Sequence, residues 1–156
     1  MSRAIPPGIP GAAEAPQSSE VRRALERVFA TSAPPGVVAA YLFGSHAEGR
    51  AHRESDVDVA VLLDERTYPT VADRSEARVR ISAWLVGALS VNDVDLVVLN
   101  GAPPLLGRKV VTDGLAVHVA DAERARVFVR DVQLRAADLE PFLARHRVTL
   151  LETLAR

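Results

Sequence analysis

The chain has 156 residues, 48% apolar and 25% charged, which suits one domain with a buried core and the composition of an ordinary globular protein. A formal net charge of -1 argues against nucleic acid as the main ligand, and the lack of cysteine excludes disulfides, thiolate metal sites and a cysteine nucleophile. No stretch reaches the roughly 18 apolar residues of a membrane span, and Pro6, Pro7 and Pro10 interrupt any leader-like run, so no membrane partner and a cytoplasmic location are expected.

Residues 1–18 are rich in proline, glycine and alanine and read as a disordered tail. Ser19 is placed to cap a helix carrying Val21, Leu25, Val28 and Phe29, which Pro34, Pro35 and Gly36 end. Three apolar runs then have strand character: Val37 to Phe43, Val57 to Leu63 and Val94 to Leu99. A helix from about Thr70 to Leu89 fills the interval before the third, with Val79, Ile81, Trp84 and Leu85 expected inward. Pro103 and Pro104 open another helix that ends near Gly114, and a short strand over Leu115 to Val119 follows. From Asp121 onward the chain reads as helix, with a stripe of Phe128, Val132, Leu139, Leu143, Leu150 and Leu154; Pro141 is expected to kink or divide it. Apolar residues outside that stripe, such as Val127, Leu134 and Phe142, exceed what one seam needs. The fold class is therefore α/β (α+β): a short mixed sheet with packed helices and a helical C-terminus. The expected divisions are the tail over 1–18, a catalytic domain over 19–120, and helices over 121–156 that pack on the domain or on a partner.

The informative segment is Gly44-Ser45, ten residues, then Asp56-Val57-Asp58. Side chains at i and i+2 of a strand face the same side, so Asp56 and Asp58 are expected to point together. Two convergent carboxylates repel unless a divalent cation lies between them, and magnesium, which takes oxygen ligands and bridges carboxylates to phosphates, suits the pair. Asp95 stands at the entrance of the third apolar run and reaches the same space if that strand neighbours the second. There it completes a two-metal site or deprotonates an attacking hydroxyl. Asp93 competes for that role, but Asp95 adjoins the buried run as Asp58 does in its own. Gly44 and Ser45 are expected to form a tight turn opening a short helix, whose amides and hydroxyl hold the phosphates of a nucleoside triphosphate. Gly49 allows the sharp return towards the second strand. His46 reads as incidental, and Glu48 and Arg50 as residues that solvate the loop.

The run Gly44-Ser45-His46-Ala47-Glu48-Gly49, followed by Ser55-Asp56-Val57-Asp58, resembles the signature of the minimal nucleotidyltransferases of the DNA polymerase beta superfamily. It departs from that signature at His46, where many relatives carry arginine. In size the chain is similar to the stand-alone MNT-type antitoxins that pair with HEPN-domain ribonuclease toxins. The resemblance implies the nucleotidyltransferase fold, ATP as substrate, two Mg2+ ions held by Asp56, Asp58 and Asp95, and a HEPN toxin as partner. The implied activity is AMP transfer onto a tyrosine of that toxin, which silences it. Two other readings stay open: a transferase acting on a small molecule such as an aminoglycoside, and an antitoxin that neutralises by contact alone. Self-association is compatible with each of them.

Overall fold

The computed structural model describes residues 16–154. In chain order the elements are α1 (Pro16–Ser32), β1 (Val37–Phe43), β2 (Val57–Leu63), α2 (Val71–Leu89), β3 (Val94–Val98), α3 (Pro104–Asp113), β4 (Leu115–Val119) and α4 (Ala122–Leu154). The four strands form one mixed sheet in the order β3-β2-β1-β4. β1 pairs antiparallel with β2 and with β4, whereas β2 and β3 run parallel and are joined through α2. This is the expected mixed sheet with helices packed on it. No helix among the described residues is long and apolar enough to cross a membrane.

The period-two alternation of the strands divides the core between two faces. Val57, Val59, Val61 and Leu63 of β2 pack with Leu25 and Phe29 of α1 and with Ala77, Ile81 and Leu85 of α2. Ala60 and Leu62 face the other way, towards Val110 of α3 and Ala125 of α4. β3 repeats the division: Val94 and Leu96 join the first cluster, and Val97 packs on the second. By the same alternation, Asp58 and Asp95 lie on the α3/α4 face of the sheet, at the entrances of their strands.

α2 is built to cover an edge. Thr70 caps it through a capping box with Asp73. Arg78 Nε then donates to Leu96 O at 2.8 Å and Ser82 Oγ to Val94 O at 3.3 Å, so side chains of α2 satisfy carbonyls of the edge strand β3. Val79 does not point inward as expected; it is 69% exposed. Residues two positions apart on a helix are separated by about 200°, so Val79 cannot share the face of Ala77 and Ile81. Trp84 is partly buried and packs on the core, with its ring edge-on to Phe29 at 5.2 Å.

Asn100, just beyond β3, acts as an extra strand residue for β2. Its Oδ1 accepts from Leu63 N at 2.8 Å and its Nδ2 donates to Leu63 O at 2.9 Å. Asn100→Ala removes both bonds from a part-buried site, and a loss of about 1–3 kcal/mol in urea-denaturation stability is expected. An unchanged midpoint would show that water replaces the amide without cost.

Two further expectations are corrected at the helix ends. α1 is already formed at Pro16, so Ser19 lies within its first turn instead of capping it; proline is tolerated there because first-turn amides have no intrahelical acceptor. The rest of the expected tail, residues 1–15, lies outside the described residues. α4 is one continuous helix that Pro141 does not divide. Its proximal half buries Ala125, Val132 and Ala136, but residues 137–149 are all exposed, Leu139 and Leu143 of the expected stripe among them. The side chains of Leu150 and Leu154 are outside the described residues. The cause is length: 33 helical residues extend about 50 Å, and strands of five to seven residues reach only about 17–23 Å.

Candidate active site

The antiparallel pairing of β1 and β2 brings the end of one strand to the start of the other. Phe43, the last residue of β1, is opposite Asp58. On the other side of β2, the parallel register sets Asp58 beside Asp95, one step after Val57 beside Val94. A three-strand register therefore gathers the end of β1, Asp58 and Asp95 at one end of the sheet. Asp56 directly precedes β2, in non-regular chain, and is exposed.

Gly44 follows Phe43 with φ +70°, a backbone conformation glycine adopts freely. Its missing side chain matters as much as its backbone. A Cβ at this position would overlap Asp58 Oδ2 and come within 3.0 Å of Asp58 Cγ. The turn after β1 thus lies directly against the Asp58 carboxylate. Residues 44–49 are a wound turn, not the short helix expected; Glu48 N donates to Gly44 O at 3.0 Å and Arg50 N to Ser45 O at 2.9 Å. Gly49, at φ +69°, returns the chain as anticipated, with open space around its Cα. Arg50 forms an ion pair with Glu48 at the exposed edge of the loop, in keeping with a solvating role for both.

The electrostatics single out Asp58. Burial pushes its carboxyl above the ordinary carboxylate range, and the charges of Asp95 and Asp56 push it further in the same direction; His46 opposes them. The three aspartates therefore share one field. Among the described residues, however, no group of three or more His, Cys, Asp or Glu side chains is gathered into a ready-made metal cluster. Like-charged carboxylates gain nothing by closing further unless a cation is between them. The donor set fits a hard divalent cation all the same: oxygen ligands only, mutually repelling, and partly open to solvent. Asp93 is engaged locally, its Oδ1 accepting from Val94 N at 2.8 Å, which leaves Asp95 as the carboxylate in register with Asp58.

His46 reads as incidental in the sequence. The structure buries it on the turn between Gly44 and Gly49, within electrostatic reach of Asp58. Its place directly after Ser45, between two glycines, was the available signal, but burial of a loop histidine has no periodicity from which to be read.

The sequence model of a family described as polymerase beta, nucleotidyltransferase matches residues 25–123, a span that contains all four strands and the site just described. The protein adenylyltransferase MntA of Shewanella oneidensis is 43% identical over 74 residues, 47% of this chain and 48% of that protein, so the chain matches about half the length of that relative. A protein of the same name from Aphanizomenon flos-aquae is 26% identical over 102 residues, 64% of this chain and 68% of that one. Among solved structures, a toxin–antitoxin crystal structure with AMP-PNP has a TM-score of 0.60 at 26% identity, covering 86% of this chain and 98% of the matched chain. A tri-AMPylated Shewanella oneidensis HEPN toxin in complex with an MNT antitoxin has a TM-score of 0.55 at 22% identity, over 89% and 99% of the two chains, a likeness of fold. With its strands, turn and aspartates inside the matched span, the chain belongs to the polymerase beta nucleotidyltransferase family.

Proposed function

We propose that the protein is an adenylyltransferase that moves AMP from ATP onto a hydroxyl of a HEPN toxin, a tyrosine by preference, and so acts as its antitoxin in the cytoplasm. The observation that carries this reading is the placement of Asp58 against Gly44 and in register with Asp95. Family membership supports nucleotidyl transfer. The relatives named protein adenylyltransferase, and the 26% identical toxin–antitoxin structure with AMP-PNP, support the nucleotide and the kind of acceptor.

The residues have distinct work in this reaction. Gly44 and Ser45 hold the β- and γ-phosphates, glycine by permitting close approach and serine by its amide and hydroxyl. Asp56, Asp58 and Asp95 hold magnesium, two ions, which when bound offsets charge on the triphosphate and the departing pyrophosphate. The acceptor oxygen bonds to the α-phosphorus, the bond from that phosphorus to the oxygen bridging the β-phosphate breaks, and pyrophosphate leaves. The Asp95 carboxylate takes the proton of the acceptor hydroxyl. Residues 19–120 form the catalytic unit. The distal part of α4 receives the toxin: Phe142 and Leu143 are 53% and 38% exposed on a segment the sheet does not cover.

The test is transfer of radiolabelled AMP from ATP and magnesium onto the purified HEPN partner. It compares wild type with Asp56→Ala/Asp58→Ala and with Phe142→Glu/Leu143→Glu. Label should appear on the partner with wild type and vanish with the double alanine variant. With the double glutamate variant it should fall at limiting partner concentration and recover when the partner is in excess. Neutralisation of the toxin by wild type and by the double alanine variant alike, without label, would replace the enzymatic reading with a binding antitoxin.

A further inference from the structure

A histidine on a polar turn at the rim of a sheet ordinarily reaches for water. His46 does not: it is 3% exposed, and its Nδ1 meets no hydrogen-bond partner among the described residues. Ser18 Oγ and His118 Nε2 share that condition, but both belong to other elements. His118 is a strand residue of β4 whose ring stacks on Phe29 at 5.2 Å, so packing accounts for its position. Among the described residues His46 stacks on no aromatic ring. It stands between Ser45 and Ala47 on a turn whose backbone bonds are made by Gly44, Ser45, Glu48 and Arg50.

A buried imidazole nitrogen without a partner destabilises a fold, and a leucine of similar volume would not. Sites that break a local rule of this kind are expected where binding, not folding, uses the atom. The neighbours of His46 point to what is bound. Gly44 lies against Asp58, and the imidazole acts on the same carboxylate from the turn side. His46 is therefore two residues from the glycine that abuts Asp58, on the turn assigned to the phosphates.

We propose that His46 is a further nucleotide-binding residue, whose Nδ1, buried and unpaired on the Gly44–Gly49 turn, donates a hydrogen bond to a phosphate oxygen of ATP when the turn rearranges around the nucleotide. The inference rests on the reading of this site as an ATP site. It gives the position after Ser45 a donor from a short, buried side chain. The bond strengthens ATP binding and takes no part in proton transfer.

The experiment measures ATP affinity by titration calorimetry with magnesium, alongside thermal unfolding, on the full chain. It compares wild type, His46→Leu and His46→Asn; the asparagine amide can supply a donor near the place of Nδ1. His46→Leu should bind ATP roughly tenfold more weakly, the loss of about one hydrogen bond, with a Tm at or above wild type. His46→Asn should stay within about threefold of wild-type affinity. ATP binding by His46→Leu equal to wild type overturns the proposal, as does equal weakening in both variants, which would mark a packing role. If His46→Leu does not fold, His46→Asn decides: affinity within about threefold supports the assignment, and a tenfold loss overturns it. A wild-type chain that binds no ATP removes the reading of the site itself, whereas wild-type binding with an indifferent leucine variant removes only His46.

Discussion

Asp58→Asn should lower nucleotidyl transfer by on the order of 10³-fold or more while leaving the protein at least as stable as wild type. The two halves of this expectation have one cause. Asp58 is half-buried at the start of β2, and burial, Asp95 and Asp56 all raise its carboxyl above the ordinary range. The folded protein therefore binds that proton more tightly than the unfolded chain does. Ionised Asp58 costs stability; the cost is absent below the ordinary carboxylate range and grows as pH rises through it towards the folded value. Asparagine keeps the shape and removes the charge, so at neutral pH the variant should melt at or above the wild-type temperature, and the difference should shrink in acid. Magnesium should raise the Tm of wild type and have little effect on the variant. Differential scanning calorimetry at acid and neutral pH, with and without magnesium, beside the AMP-transfer assay, checks each part. A variant that melts well below wild type, or keeps transfer within tenfold, would mean that Asp58 has a structural role in the strand.

The second large effect is expected at Gly44, where backbone and chemistry meet. Gly44→Ala adds a methyl group that would overlap Asp58 Oδ2, at a residue with φ +70°. The left-handed backbone costs a non-glycine residue about 1–3 kcal/mol, and the overlap is relieved only if Asp58 or the turn shifts. A displacement of about 1 Å in a catalytic group is enough for a loss on the order of 10²-fold in transfer. Gly49→Ala is the informative control. Gly49 has nearly the same backbone, φ +69°, but nothing within 4 Å of a Cβ. It should lose similar stability in urea denaturation and retain most of its transfer. If both variants lose activity alike, the turn's backbone and not its contact with Asp58 is what the reaction needs.

The two substitutions also separate levels of the molecule. Asp58→Asn changes charge without moving chain, and Gly44→Ala moves chain without changing charge. The site depends on both because β1 and β2 run antiparallel, so that the turn leaving one strand and the carboxylate entering the other are placed by the same row of hydrogen bonds.

Much of this arrangement was legible in the linear chain. The three strand runs and the short strand after Gly114 stand almost where their apolar patterns put them, because short runs of β-branched and apolar residues bounded by glycine, proline and aspartate have few other stable uses. The spacing from Gly44 and Ser45 to Asp56 and Asp58 was legible too, since a turn and a return strand need a nearly constant length between them. Side-chain direction on helices is less legible. Val79 shares the apolar character of Ile81 but, two positions away on the helix, points the opposite way, and the stripe of α4 continues past the sheet, which meets only its first half.

By itself, then, the sequence determined which segments become strands and helices, and which residue types stand at the strand entrances, because periodicity and turn chemistry act over a few neighbours. Only the tertiary structure decided that Asp58 and Asp95 are in register, that Asp93 is engaged with Val94, that Gly44 lies against Asp58, and that His46 is buried. The register of Asp58 with Asp95 depends on strand order, the Gly44 contact on how the chain returns into β2, and the burial of His46 and the Asp93–Val94 bond on side-chain placement, none of which an apolar pattern encodes.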